Sequence, residues 1–135
     1  MTSARPEYDR DVQVRGVVWA GVRTDEFAET VAFFRDVLGV PLIELAPGFA
    51  WSKLEDSSQF EIFGPPDTDH SHFTTGPVPE FLVDDLSAAT AELEAAGVEV
   101  FGPIQGTAEQ GWVHFRGPDG NVYGLTAGAS YHRPT

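Results

Sequence analysis

GPDGNVYGL, residues 117–125, reads as a tight turn leading into a strand. Pro118, Asp119, Gly120 and Asn121 are turn formers, and Val122, Tyr123 and Leu125 favour extended backbone. The stretch closes a pattern that the chain has already run through once. In the first half Val18 lies seven residues before Asp25, a helical stretch runs to Leu38-Gly39-Val40, and a hairpin ends at Glu61-Ile62-Phe63. In the second half Val78 lies seven residues before Asp85, a helical stretch runs to Ala96-Gly97-Val98, and a hairpin ends at Tyr123-Gly124-Leu125. A period of about 60 residues is too long for a solenoid repeat and suits two fused copies of one small α+β module. Each copy alone leaves a sheet face bare, so the pair must share a sheet or a cleft.

Each copy can be followed along the chain. VRGVVWAGV (14–22) is β-branched and apolar without helical spacing, which predicts a strand. Thr24 or Asp25 is placed to cap the next helix, with Glu26 and Glu29 in its first turns, where the helix dipole favours negative charge. Phe27, Val31, Phe34 and Leu38 recur at helical spacing and predict one buried face; Gly39 supplies the C-cap and Pro41 the stop. Strands over 49–54 and 59–63 follow, joined by Glu55-Asp56-Ser57-Ser58. GPPDTDHSHFTTGP (64–77) is the linker. The second module then has a strand over 78–83, a helix with Leu86, Ala89, Leu93 and Ala96 on one face, and strands near 98–101, 111–116 and 121–126. The order is βαβββ twice: module one 14–63, module two 78–126, with a loosely held N-terminus 1–13 and a tail 127–135.

Composition bounds the partners. The 135 residues carry 21 acidic against 8 basic side chains, a formal net charge of −13, so phosphate backbones and anionic lipid are repelled. Nucleic acid and membrane surfaces are therefore excluded as expected partners. The absence of cysteine removes disulfides, thiol catalysis and Cys-ligated zinc. There is no membrane-length apolar run, and MTSARPEYDRDVQ lacks the apolar core of a signal peptide, which makes the cytoplasm the expected location. Hydrophobic residues at 41% suffice for a core.

The order and motifs together resemble the vicinal oxygen chelate superfamily, which includes glyoxalase I, extradiol dioxygenases, methylmalonyl-CoA epimerases and bleomycin-resistance proteins. The resemblance rests on TDEFAETVAFFRDVLGVPLIE (24–44), QFEIFGP (59–65), FLVDDLSAATAELEAAGVEV (81–100) and FRGPDGNVYGL (115–125). It implies an α+β fold in which two βαβββ modules form a curved-sheet cleft, and it implies a homodimer. It does not fix the function, because this scaffold hosts lyases, dioxygenases, transferases and passive binders. Metal-dependent members place a His, Gln or Glu at four equivalent strand positions. Carried over, these fall at Val18, Glu61, Val78 and Gly124. Valine has no lone pair and glycine no side chain, so one carboxylate is left and no metal cofactor is expected. Asp69-His70-Ser71-His72 is an alternative donor cluster, but its polar linker setting reads as a solvated loop away from the cleft.

Strand alternation then predicts the cleft lining. With Glu61 facing inward, Gln59 and Phe63 follow, and a three-residue turn at 56–58 pairs Lys53 with Glu61 and Trp51 with Phe63. Phe60, Ile62 and Leu54 then face the helix. Lys53–Glu61 reads equally as a structural cross-strand ion pair and as a restrained functional carboxylate. In module two Val78, Glu80 and Leu82 face inward, as do Trp112, His114 and Arg116, while Val18, Ala20 and Gly124 leave open space. Trp112 reads equally as a cleft wall and as a dimer interface or ordinary packing; Trp19, of opposite parity to Val18, reads as core. Ligand-binding candidates are thus Trp51, Lys53, Gln59, Glu61, Phe63, Glu80, Trp112, His114 and Arg116. Aromatic walls with a few convergent polar groups describe a pocket for an aromatic or cationic small molecule. The leading expectation is a metal-independent binding protein of the bleomycin-resistance type, sequestering a natural product such as an antibiotic. The alternative is an enzyme (a lyase, epimerase or dioxygenase), working by metal-free acid–base chemistry with Glu61 or Glu80 and His114 as catalytic candidates, or with a displaced metal site.

Overall fold

The computed structural model describes residues 13–128. Eight strands form a single sheet in the order β2-β3-β4-β1-β5-β8-β7-β6. They are β1 (Gly16–Arg23), β2 (Ile43–Ala46), β3 (Phe49–Lys53), β4 (Gln59–Phe63), β5 (Val78–Leu82), β6 (Val100–Gly106), β7 (Gly111–Arg116) and β8 (Val122–Ala127). Helix α1 (Phe27–Ala32) follows β1, and α2 (Leu86–Ala95) follows β5. The expected βαβββ order therefore occurs twice, with β2 (Ile43–Ala46), for which the sequence reading placed no strand, completing the first module. The modules are joined edge to edge by the antiparallel β1–β5 pair. Inside each module the first strand pairs in parallel with the last, β1 with β4 and β5 with β8. The two copies thus share a sheet as well as a face. None of the described helices is long and apolar enough to cross a membrane.

The helices cover one face. Val31, Leu42, Ala50 and Ile62 form the core under α1, joined by Phe27, Phe34 and Phe60. Val83, Leu86, Ala89, Val113, Leu125 and Ala127 form the core under α2. Burying such side chains stabilises each module by roughly 1.5–3 kcal/mol apiece. α2 starts where the sequence places it, with the Asp85 carboxylate accepting from the Ala88 amide at 3.0 Å. α1 starts differently: Glu26 is its N-cap and makes no side-chain cap bond, while Thr24 Oγ1 accepts from the Glu26 amide just outside the helix.

The end of the first helix also departs from the expected pattern. Phe33–Val37 is a π-helical turn, in which the Leu38 amide donates to the Phe33 carbonyl at 3.3 Å. A π-turn inserts one residue into the helical register and rotates the residues after it. Leu38, expected on the buried face, is turned out and is 59% exposed, and Phe33 is 49% exposed. Gly39 does close the helix, at φ +75°, the left-handed conformation that glycine tolerates best.

The face opposite the helices carries a third cluster: Trp19, Phe63, Phe73, Val78 and Val122, all buried. Four of these come from strands. Phe73 comes from the 64–77 linker, which folds down onto the sheet instead of skirting it.

Candidate functional site

Register decides which side chains meet on this face. β1 pairs Trp19 with Gln59 and Gly21 with Glu61; β5 pairs Glu80 with Gly124; β7 pairs His114 with Gly124. Trp19 therefore shares the cleft face with Glu61. The β1–β4 ladder runs without a shift from Trp19 to Arg23, so Trp19 and Gly21, rather than Val18 and Ala20, hold the cleft positions; a bulge between Val17 and Trp19 in the β1–β5 ladder lies just before them. Val18 lies at this bulge, and Ala20 pairs with Phe60, so it belongs to the helix face. Trp19 is core, as expected, but it also touches the site through a side-chain hydrogen bond to Glu61.

The β3–β4 register is shifted by two from the expectation. Lys53 lies opposite Gln59, Trp51 opposite Glu61, and Phe49 opposite Phe63. The loop is longer than the expected turn. The Leu54 amide donates to the Ser58 carbonyl, Asp56 Oδ1 accepts from the Ser58 amide, and Ser57 sits at φ +73°. A shift of two leaves the faces unchanged but removes the Lys53–Glu61 pair, and Lys53 is exposed. Leu54, expected under the helix, is 36% exposed. The Trp51 indole N–H instead donates to Gln59 Oε1 at 3.0 Å, and the buried Gln59 Nε2 makes no hydrogen bond.

Among the described residues the polar centre of the face is a hydrogen-bonded chain of three side chains. Glu80 Oε2 lies 2.8 Å from His114 Nε2, and His114 Nδ1 lies 3.1 Å from His72 Nε2. Glu80 and His114 are buried, and His72 is half-buried. Gly124 makes the first link possible. A Cβ there would come within 2.5 Å of Glu80 Cγ, so the Glu80 side chain fills the space that a residue at 124 would otherwise take.

The linker histidines correct the sequence reading. Asp69-His70-Ser71-His72 is not a remote solvated loop. The His70 ring stacks on Phe63 at 3.7 Å between centroids, with Nδ1 held 3.1 Å from Asp67 Oδ2. Phe73 lies edge-on to Trp19, Phe63 and His114 at 6.2, 5.9 and 5.1 Å. A large aromatic in an otherwise polar linker is the one signal in the sequence that this segment packs down.

Burial sets the protonation of the group. The Glu80 carboxyl is pushed up to about 8 by desolvation. Glu61 is pushed up to about 7, again by desolvation, with Trp19 opposing and the Glu80 and Asp67 charges adding to the rise. His114 is lowered to about 4 by burial. His72 is lowered to about 4 by burial first, then by the neighbouring His114, His70 and Arg116. His70 is lowered by burial against the pull of Asp67. All of these groups thus favour their neutral forms, as polar groups held away from water do.

Beside this chain lies a cavity of about 420 Å³, lined from β6 and β7 by Phe101, Pro103, Gln105, Trp112 and His114 and from the linker by Asp69, His70 and His72. Of the residues singled out from sequence, Trp112 and His114 line it. Glu80 stands behind His114. Arg116 is nearby: it lies over the Phe101 ring at 5.0 Å and donates to the Gly120 carbonyl at 2.9 Å. Trp51, Gln59, Glu61 and Phe63 belong to the module-one half of the face, which His70 and Phe73 separate from this cavity. The expected single cleft is divided by the linker.

The donor set of a family-type metal site is not assembled by these residues. Three of the four matching positions carry no donor atom, and both ring nitrogens of His114 lie within hydrogen-bonding distance of its neighbours. Among the described residues no group of three or more His, Asp or Glu is placed to hold an ion.

Residues 16–124 match the family model of the Glyoxalase/Bleomycin resistance protein/Dioxygenase superfamily, and the chain belongs to that family. Its fold resembles the Mn(II)-bound glyoxalase from Novosphingobium aromaticivorans, at 20% identity and a TM-score of 0.67. That alignment covers 86% of this chain but only 40% of the glyoxalase. It also resembles methylmalonyl-CoA epimerase from Mycobacterium tuberculosis, at 20% identity and a TM-score of 0.61, over 87% of this chain and 91% of the epimerase. No curated protein matches the chain.

Proposed function

We propose that this chain is a metal-independent small-molecule-binding member of the superfamily, taking a planar aromatic guest in the cavity between the 64–77 linker and β6–β7. The observation that carries this reading is the cavity wall: the aromatic side chains of Phe101 and Trp112 and the imidazoles of His70, His72 and His114 line one volume of about 420 Å³. Apolar walls with a few convergent polar groups are the usual composition of a ligand pocket. Trp112 is 36% exposed, so a guest stacked on it removes it from water and changes its fluorescence. The test is titration of planar aromatic compounds against native protein and Trp112→Phe, followed by recovery of the ligand. A saturable signal lost in the variant, with the ligand recovered unchanged, supports binding without chemistry.

One observation favours a second reading, metal-free acid–base catalysis. The 2.8 Å contact joins a buried carboxyl whose proton affinity is near neutral to an imidazole at the cavity wall. Such a couple can hold and move a proton near pH 7. Chemically altered ligand on recovery selects this reading over simple binding.

A further inference from the structure

The first module carries an apolar surface that no described residue covers, and the charges around it specify what fits there. We infer that this surface is the seat of a second copy of the chain, joined about a two-fold axis with Leu38 and Leu54 at the contact. The family resemblance implies two copies and says nothing of the face by which they meet. The contact is independent of the guest proposed for the cavity beside His72.

A second cavity, of about 260 Å³, opens between the end of the first helical segment and strands β1 and β4. Val17, Phe34, Leu38, Val40, Leu54 and Phe60 line it, and no charged side chain does. The π-helical turn at Phe33–Val37 turns Leu38 out of the buried face, and Leu54 stands where β3 gives way to its loop. Both are exposed and both line the cavity, so each is a rim residue, partly on the apolar wall and partly in water. Val17 is exposed at the same cavity, Val37 is exposed beside Leu38, and the exposed Phe33 packs edge-on against Phe34 at 5.2 Å. Apart from Trp112, every exposed large hydrophobic side chain among the described residues belongs to module one. Single exposed apolar residues are ordinary; a group gathered round one cavity marks an interaction surface.

Charge selects the partner. With 21 acidic and 8 basic side chains, two copies repel each other over most of their surface. Around the second helix, residues 84–99 hold Asp84, Asp85, Glu92, Glu94 and Glu99 and no basic residue. The module-one patch differs. Its floor is uncharged, and its rim carries both signs: Arg35 and Asp36, in contact at 3.0 Å, on the helical side, and Lys53, Glu55 and Asp56 on the hairpin side. A two-fold contact is self-complementary, so it sets the helical side of one copy against the hairpin side of the other. Leu38 then meets the groove beside the partner's Leu54, Arg35 faces the partner's Glu55 and Asp56, and Lys53 faces the partner's Asp36. An uncharged centre within a polar rim is the usual anatomy of a protein–protein contact. A basic partner is drawn to the acidic second module instead, and an acidic one is repelled by the chain as a whole.

Sedimentation equilibrium between about 1 µM and about 500 µM is expected to show native monomer and dimer exchanging by mass action, with no larger species because a two-fold contact closes. Leu38→Glu and Leu54→Glu each place a carboxylate at the contact and are expected to raise the dimer dissociation constant by about 30-fold or more. Both positions are exposed, so both variants are expected to fold; circular dichroism checks this, and if one fails to fold the other decides. Trp112→Glu, outside the patch, is expected to leave the constant within about threefold. Raising sodium chloride from about 0.05 M to about 0.5 M is expected to hold or tighten the dimer, because salt screens the repulsion between like-charged copies. A native protein that stays monomeric throughout overturns the inference; Nile red uptake by that monomer, lost in Leu38→Glu, assigns the patch to a small apolar molecule. A dimer broken by Trp112→Glu and by neither leucine variant also overturns it, by moving the contact to the guest cavity. A dimer that dissociates in salt is held by its charged rim, which overturns the apolar contact.

Discussion

Glu80→Gln should leave stability almost unchanged in acid and raise it in alkali, because the native carboxyl is held against its tendency to ionise. Its folded-state value is about 8 against an ordinary 4.5, and its side chain is almost fully buried. An acid whose pKa is raised by folding contributes a penalty that is absent below the unfolded value, grows between the two values, and is complete above the folded one. At about 1.4 kcal/mol per unit the full penalty is at most roughly 5 kcal/mol, and relaxation and water entry reduce it to several kcal/mol. Gln keeps the shape and a donor to His114 but has no proton to lose. Glu61, raised to about 7, produces a decline of the same sign, and His72 and His114, lowered to about 4, produce a loss of stability on acidification. The histidines remain in the variant, and Glu61 loses only the part of its rise that the Glu80 charge supplies, so the difference between the two proteins reports Glu80 together with its coupling to Glu61. Urea denaturation across about pH 5 to about pH 9 measures it. The expected result is near-equality at the acid end and a variant more stable by on the order of 2–4 kcal/mol at the alkaline end. Parallel pH–stability curves would refute the account of Glu80 as a buried, normally protonated acid.

Gly124→Ala drives a methyl into Glu80 Cγ, and is expected to cost about 1–3 kcal/mol by overpacking and to break the Glu80–His114 contact, seen as a change in the His114 imidazole ¹⁵N shifts. Phe73→Ala removes the aromatic that pins the linker to Trp19 and Phe63; thermal unfolding should show a loss of roughly 3–5 kcal/mol, and a loss under about 1 kcal/mol would mean that the linker is held otherwise. Lys53→Ala should change stability by less than about 0.5 kcal/mol, because Lys53 is exposed and opposes Gln59; a larger loss would point back to an ion pair with Glu61.

The fold is legible because it is written in two local codes repeated in order: strand alternation and helix spacing ending in glycine. Leu86 and Ala89, Val113 and Leu125, Phe60 and Ile62 fall on the faces that those codes assign. Sequence and structure part where one residue is added to a regular element. The π-turn at Phe33–Val37 swings Leu38 outward, and beside the bulge at Val17–Trp19 it is Trp19, not Val18, that falls on the cleft face. Neither insertion changes local composition, so neither leaves a periodic signal. The hairpin register differs from the expected one by two residues, an even shift that preserves the faces of Trp51, Gln59 and Glu61 while changing their partners. The site is half legible: Glu80, Trp112 and His114 emerge from strand parity. His70 and His72 do not, because a linker has no period and its docking depends on Phe73 finding the aromatic cluster on the sheet. Gly124 reads in sequence as a missing ligand, and in the structure it is the space that Glu80 occupies.

The central claim is that the cavity beside His72 takes a planar guest without a metal ion. The most direct measurement is calorimetric titration of acetophenone into chelator-treated native protein and into Gln105→Trp, which places a bulky ring in the cavity. The account predicts one saturable site per native chain, the same with and without chelator, and no binding to the filled variant. Binding that appears only on adding a divalent ion, or that persists unchanged in Gln105→Trp, would contradict it.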